Sequence, residues 1–239
     1  MDLKLKDVAE LLNVSEATVR RWISESQIPY YRLNQQFRFS RDEIENWVLS
    51  CKQGGEFSPF KTDDSEAPQE GLGTQQFGLY RAIHKGGVYQ DVPGDTKEEV
   101  IRAAVERIAA DICLDAEMVT ELLLDREKLM PTALSNGVAV PHTRDFLLQE
   151  SFDVVAVVFP RQPIEYGALD GKPVDVLFFL FACDDKRHLH LLAKLAHLSS
   201  KEESLSYLRT HPSKASLLEY VKEWESNLKS GSSRSLVSQ

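Results

Sequence analysis

Of the six histidines in this 239-residue chain, His142 has the setting best suited to chemistry. It follows Pro141 in the stretch "NGVAVPHT", residues 136–143. Asn136-Gly137 is a turn signal, Val138-Ala139-Val140 a short apolar segment, and Pro141 a rigid step before the imidazole. A histidine held at the rim of a strand can serve as a nucleophile if it is accessible, in the right tautomer and close to groups that stabilise incoming charge. Functional side chains often sit at strand ends in α/β folds. Taken alone, however, a histidine behind a proline is most often a plain loop residue. His84 and His211 read as surface residues and His190 as a group facing solvent or a partner, while His197 lies on the same helix as His188 with no role assigned. Cys51, Cys113 and Cys183 are scattered and odd in number, with no CxxC or Cys/His spacing. They are expected to be reduced thiols, not a disulfide framework or a metal site, and neither a metal nor an organic cofactor is expected.

A second set of chemistry-bearing residues lies near the N-terminus. "VAELLNVSEATVRRW", residues 8–22, has the layout of a helix-turn-helix. Its first helix ends at Leu12, and Ser15 can cap a second whose outward face carries Glu16, Thr18, Arg20 and Arg21. Such a helix can lie in a major groove, early residues against base edges and arginines on phosphate or guanine. Arg32 and Arg38, on an expected hairpin, could reach the DNA backbone or a minor groove as a wing. Residues 1–53 hold eight Lys/Arg and eight Asp/Glu, whereas the remainder carries the whole net charge of −9. The neutral balance weakens the case for DNA, since phosphate contacts need cations. A small protein–protein module is the alternative.

The elements that must position these groups follow from periodicity. Val8, Leu11 and Leu12 share one helical face, and Val19, Trp22 and Ile23 another. Short strands are expected at Tyr30–Leu33 and Phe37–Phe39, around a turn at Asn34-Gln35-Gln36. Ser40 and Glu43 then form a capping box before a helix with Ile44, Trp47 and Val48 inward. Residues 51–78 are rich in Gly, Pro, Ser, Asp and Gln and read as a flexible linker, with an end-to-end distance of roughly 29 Å. Helices are expected over Lys97–Asp111 and Asp115–Asp125, strands at Phe152–Phe159 and Val174–Cys183, and further helices at His188–Leu198, Lys201–Thr210 and Ser213–Asn227. The two long strands are nearly continuous in apolar residues, as for strands buried on both faces. The expected fold is thus α/β: a small winged helix-turn-helix unit over residues 1–50, then a mixed sheet flanked by helices over 79–228, then a disordered tail over 229–239. No apolar run spans a membrane and no secretory signal opens the chain, so a cytoplasmic protein without membrane insertion is expected.

Residues Leu5 to Leu49, with "VAELLNVSEATVRRWI", "IPYYR" and "FRFSRDEIENWV" in order, resemble the excisionase/MerR-like winged helix-turn-helix family. That resemblance implies sequence-specific DNA binding, usually as a dimer or with another protein. "LLDREKLMPTALSNGVAVPHT", residues 123–143, and "PIEYGALDGKPVDVLFFLFACDDKRHLHLLAKLAHL", residues 163–198, closely resemble the enzyme IIA domain of the fructose/mannitol/nitrogen-regulatory class of the bacterial phosphotransferase system. The resemblance implies that His142 accepts a phosphoryl group from the histidine phosphocarrier protein. It also maps the second active-site histidine to His188 and the arginine of the Arg-Glu pair to Arg126, with Glu127 orienting Arg126 and Thr132 near the phosphate. One departure is the "MPTALS" stretch, where the family usually has a Gly-rich Ser/Thr segment. The fusion of the two units suggests a regulator whose DNA or partner binding follows phosphorylation of His142. The alternative is a working IIA component that relays phosphate to a IIB protein for sugar uptake.

Overall fold

A computed structural model describes residues 2–12, 14–50, 78–143, 145, 147–148 and 152–230. The linker read from the sequence at 51–78 and the tail at 229–239 lie almost wholly outside the described residues. Among the described residues no helix is long and apolar enough to cross a membrane.

The N-terminal unit begins with β1 (Asp2–Lys4), α1 (Leu5–Leu12) and α2 (Glu16–Ser24). Ser15 caps α2, its Oγ accepting from the Thr18 amide. The hairpin of β2 (Tyr31–Leu33) and β3 (Gln36–Ser40) turns on Asn34 and Gln35, both at positive φ, which matches the twist of its strands. β1, which the sequence reading did not anticipate, pairs antiparallel with the other side of β3, giving the order β1-β3-β2. α3 (Arg41–Ser50) follows directly. Trp22 is buried and Trp47 half-buried; their rings meet at 5.5 Å and the Trp47 indole donates to the Gln27 carbonyl at 2.6 Å.

The larger unit runs α4 (Gly78–Gly86), β4 (Val88–Val92), α5 (Lys97–Ile112), α6 (Ala116–Leu129), β5 (Val138–Ala139), β6 (Val154–Pro160), β7 (Val176–Phe181), α7 (Asp185–Leu198), α8 (Glu202–Leu208) and α9 (Lys214–Ser230). Its sheet has the order β4-β6-β7-β5. β6 and β7 are antiparallel, while β4 runs parallel to β6 and β5 parallel to β7. Side chains alternate across the sheet. Val155, Val157, Phe178 and Leu180 join a core with α4, α7, α8 and α9. Val154, Ala156, Leu177 and Phe179 join one with α5 and α6. Helices therefore cover both faces, which is why the two central strands read as unbroken apolar runs. Gly86 lets α4 lie on β6: a Cβ there would fall 2.3 Å from the Val155 carbonyl oxygen.

The first core does not stop at the larger unit. It continues into Val8, Leu12, Val19, Trp22, Ile44 and Val48 of the N-terminal unit. α1 and α3 both pack on α7. At the rim of this contact Arg41 pairs with Asp185 at 2.7 Å and Lys186 with Glu10 at 2.9 Å.

Candidate active site

Three elements converge where α3 meets the sheet. The first carries His142. Asn136 and Gly137, at φ 67° and 84°, make the turn that starts β5. A Cβ on Gly137 would lie 2.9 Å from an Asp175 oxygen, so both the left-handed backbone and the close approach require glycine. Beyond β5 the chain stays beside β7: the Leu180 amide donates to the Pro141 carbonyl at 2.9 Å and His142 bridges to Leu180. His142 is fully buried, at the end of this edge.

Its tautomer is set by the backbone. Nδ1 lies 2.7 Å from the Val140 carbonyl oxygen, which can only accept, so Nδ1 carries a proton. Nε2 is left as the nitrogen that faces the site. It points at Glu45 Oε1, 2.9 Å away and itself fully buried. Two acceptor atoms at that distance need one proton between them.

The second element is α6. Arg126, near its end, is 5% exposed and donates from Nη1 to the Met130 carbonyl at 3.0 Å and from Nη2 to Glu45 Oε1 at 3.1 Å. Arg126 and His142 thus converge on one oxygen. The third element is α7, capped by Asp184, with His188 in its first turns. The His142 and His188 rings meet edge to face at 5.1 Å, and His188 Nε2 is 3.8 Å from Glu45 Oε2. Burial, with the neighbouring His142 next in weight, depresses the His188 pKa to about 3, so this ring is neutral.

His142, His188 and Arg126, expected from the sequence, are brought together. Two supporting assignments are corrected. Glu127 does not orient Arg126; the Met130 carbonyl does. The Glu127 carboxylate points into the core, accepting from the Thr132 amide and hydroxyl and from the Tyr166 hydroxyl, with Lys97 Nζ at 3.9 Å. Thr132 is accordingly committed to Glu127 and braces the segment that runs beside β5. His190, expected to face solvent or a partner, is buried, and burial pushes its pKa down to about 3. His84 and His211 are exposed, as read.

Glu45 is the residue that sequence reasoning missed. It lies one turn after Arg41, a spacing that reads as an ordinary surface pair on a helix. Nothing local distinguishes it from the other acids of α3.

Glu45, His142 and His188 offer donor atoms within 4.8 Å of one another, a set of the kind that binds zinc. The arrangement does not suit a cation. The Arg126 guanidinium already sits on Glu45 Oε1, and the 2.9 Å between Nε2 and that oxygen is shorter than the roughly 3.3 Å that two ligands of a tetrahedral zinc would have. A hollow of about 430 Å³ borders the site, lined by Leu122, Arg126, Thr143 and their neighbours, and neither histidine lines it.

On the N-terminal unit Glu16, Arg20, Arg21 and Arg32 are exposed, and Arg38 is half-buried with Nη2 on Gln36. Thr18, also half-buried, shares a hydrogen bond with the Ser15 hydroxyl. The outward face of α2 is thus open to solvent while α1 and α3 face α7.

The model of the family described as "Phosphoenolpyruvate-dependent sugar phosphotransferase system, EIIA 2" matches residues 82–224. A helix-turn-helix domain model matches residues 3–52. The chain is 34% identical over 146 residues to a nitrogen regulatory protein of Pseudomonas aeruginosa, covering 60% of this chain and 94% of that protein. A nitrogen regulatory protein of Escherichia coli is 31% identical over 133 residues, covering 54% and 80%. The crystal structure of nitrogen regulatory protein IIA-Ntr from Neisseria meningitidis superposes with a TM-score of 0.51 at 30% identity, over 55% of this chain and 90% of that one.

Proposed function

Because the chain belongs to the EIIA 2 family of the phosphoenolpyruvate-dependent sugar phosphotransferase system, with a helix-turn-helix domain ahead of it, we propose that His142 accepts a phosphoryl group on Nε2 from the histidine phosphocarrier protein and that this tunes DNA or partner binding by the N-terminal unit. The observation that carries the reading is the orientation of His142: Nδ1–H is spent on the Val140 carbonyl, so Nε2 points at Glu45 Oε1, the oxygen that Arg126 Nη2 also reaches, with the His188 ring edge to face beside it.

The chemistry balances without a cofactor. The P–N bond of the donor phosphohistidine breaks and its electron pair stays with the donor imidazole. The lone pair of His142 Nε2 forms the new P–N bond, after the proton between Nε2 and Glu45 has left to the carboxylate or to solvent. Such transfer relies on in-line positioning and on charge stabilisation. Arg126 supplies a permanent cation with planar donors for phosphate oxygens. His188, neutral, can donate one hydrogen bond to the same group. On this reading the protein works in the cytoplasm, and its N-terminal unit contacts DNA through Glu16, Thr18, Arg20 and Arg21 of α2 and Arg32 and Arg38 of the hairpin, as a dimer or beside another protein.

Incubation with phosphoenolpyruvate, enzyme I and the phosphocarrier protein, followed by intact mass, tests the reading. One phosphoryl group is expected on the wild type, none on His142→Ala, and slower gain on His188→Ala. Absence of phosphate from the wild type and from Glu45→Ala, each with its cognate carrier, would sink it. A working relay to a IIB protein is the second reading, and the rate of onward transfer separates the two.

A further inference from the structure

The face that must receive the phosphocarrier is already occupied, by the chain's own N-terminal unit. α3 lays Glu45 into the site, fully buried, with one carboxylate oxygen shared by His142 Nε2 at 2.9 Å and Arg126 Nη2 at 3.1 Å. Those are the two partners that a phosphoryl group on Nε2 would take. The carboxylate stands where phosphoryl oxygens would stand, with the same sign of charge and the same hydrogen-bond acceptors.

We propose that the surface around His142 is a docking site for the helix-turn-helix unit, keyed by Glu45 as a phosphoryl surrogate, so that docking and phosphorylation exclude each other. The inference rests on the phosphoryl-acceptor reading above. Three observations carry it. The apolar core runs without a break from Val8, Trp22 and Ile44 into Leu189 and Leu192 of α7, so the contact is an interface and not a glancing touch. Arg41–Asp185 and Lys186–Glu10 flank it and fix the register of α3 and α1 on α7. Glu45 and Arg41 lie one turn apart on the same face of α3, so the helix that meets Asp185 delivers Glu45 to His142 as well.

The physical consequence follows from charge. Phosphorylated His142 carries about two negative charges beside Arg126. A buried carboxylate in the same space would lose its cationic partner and meet an anion, an arrangement that low-dielectric surroundings penalise heavily. The phosphoryl group therefore expels Glu45, and with it α3. Conversely, a carrier must displace α3 to reach Nε2, so the docked chain accepts phosphate slowly. Release uncovers the α1 and α3 faces that pack on α7, leaving them for DNA, a second copy or another partner.

The test uses the full chain and reads two quantities together, phosphate uptake by intact mass and amide hydrogen exchange in α3 and α7. Docking is expected to protect these helices in the unmodified wild type. Phosphorylation by the carrier should raise their exchange about tenfold or more, since loss of a buried charge pair is worth at least that factor. Glu45→Ala and Glu45→Gln should show the raised exchange without phosphate and take up phosphate faster, by about tenfold or more for Glu45→Ala. Unchanged exchange in the β6–β7 core of each variant certifies the fold. Phosphorylated wild type with unaltered exchange in α3 and α7, or equal uptake by wild type and Glu45→Ala, overturns the docking inference and leaves the acceptor reading intact. No uptake by wild type or either Glu45 variant removes the acceptor reading, and the inference with it. Uptake by Glu45→Ala but not by wild type supports both.

Discussion

At His142 the decisive contact is the one least concerned with chemistry, the Val140 carbonyl. By accepting the hydrogen bond from Nδ1–H it commits Nε2 to whatever occupies the site, at present Glu45. Arg126 is held by the Met130 carbonyl with its other Nη on Glu45, the geometry that the proposed phosphoryl group would use in turn. Arg126→Lys keeps a positive charge but loses the fork, so phosphate uptake is expected to fall by roughly 10²-fold, as measured by the initial rate with the carrier. Burial of His188 and His190 also has a thermodynamic cost. Each has a folded pKa of about 3 against a usual 6.5. The unfolded chain therefore binds more protons between these values, and stability present above pH 6.5 is lost as pH falls towards 3. His188 faces His142, Glu45, Arg41 and Arg126, and Lys194 and Lys186 act on His190. Urea midpoints measured from pH 7 to 5 should decline, and less so in His190→Leu. A flat profile, equal in both, would contradict these assignments.

The strand that presents His142 depends on groups away from it. Glu127 satisfies the Thr132 amide and hydroxyl and the Tyr166 hydroxyl, tying the segment beside β5 to α6. Glu127→Ala leaves those buried donors without an acceptor, at about 1–3 kcal/mol each. A fall in melting temperature of several degrees is expected, with slower phosphate uptake. Gly137→Ala meets strained backbone and the Asp175 carboxylate together, for a loss of about 1–3 kcal/mol. Calorimetry checks both. These elements also show what the sequence could and could not reveal. β6 and β7 were legible because both faces are covered, which leaves an uninterrupted apolar run. α5 and α6 were legible from their apolar spacing. β1 was not, being three residues with polar ends whose only reason to be extended is β3. α4 and β4 went unassigned although Leu79, Ala82 and Ile83 have helical spacing, because both are short and meet at Gly86-Gly87. His142, His188 and Arg126 could be named from motif resemblance. Glu45 could not, since its role exists only when two separate units pack together.

Across the whole molecule, the two units share an apolar core and one buried charge cluster, while the linker segment between them lies outside the described residues. The outward face of α2, proposed above to contact DNA, points to solvent in this arrangement, with Arg20 and Arg21 exposed. If these arginines contact phosphates, affinity for a selected operator should fall steeply with salt, and Arg20→Ala and Arg21→Ala should each reduce the salt slope by about one. Filter binding across a salt series measures this, and unchanged slopes would move DNA contact away from α2. The proposed function turns on one nitrogen. Long-range imidazole NMR of the ¹⁵N-labelled, carrier-phosphorylated chain identifies the nitrogen bonded to phosphorus. The structure predicts phosphorus on Nε2 of His142, with Nδ1 still protonated and hydrogen-bonded. Phosphorus on Nδ1, or on any other histidine, would contradict it.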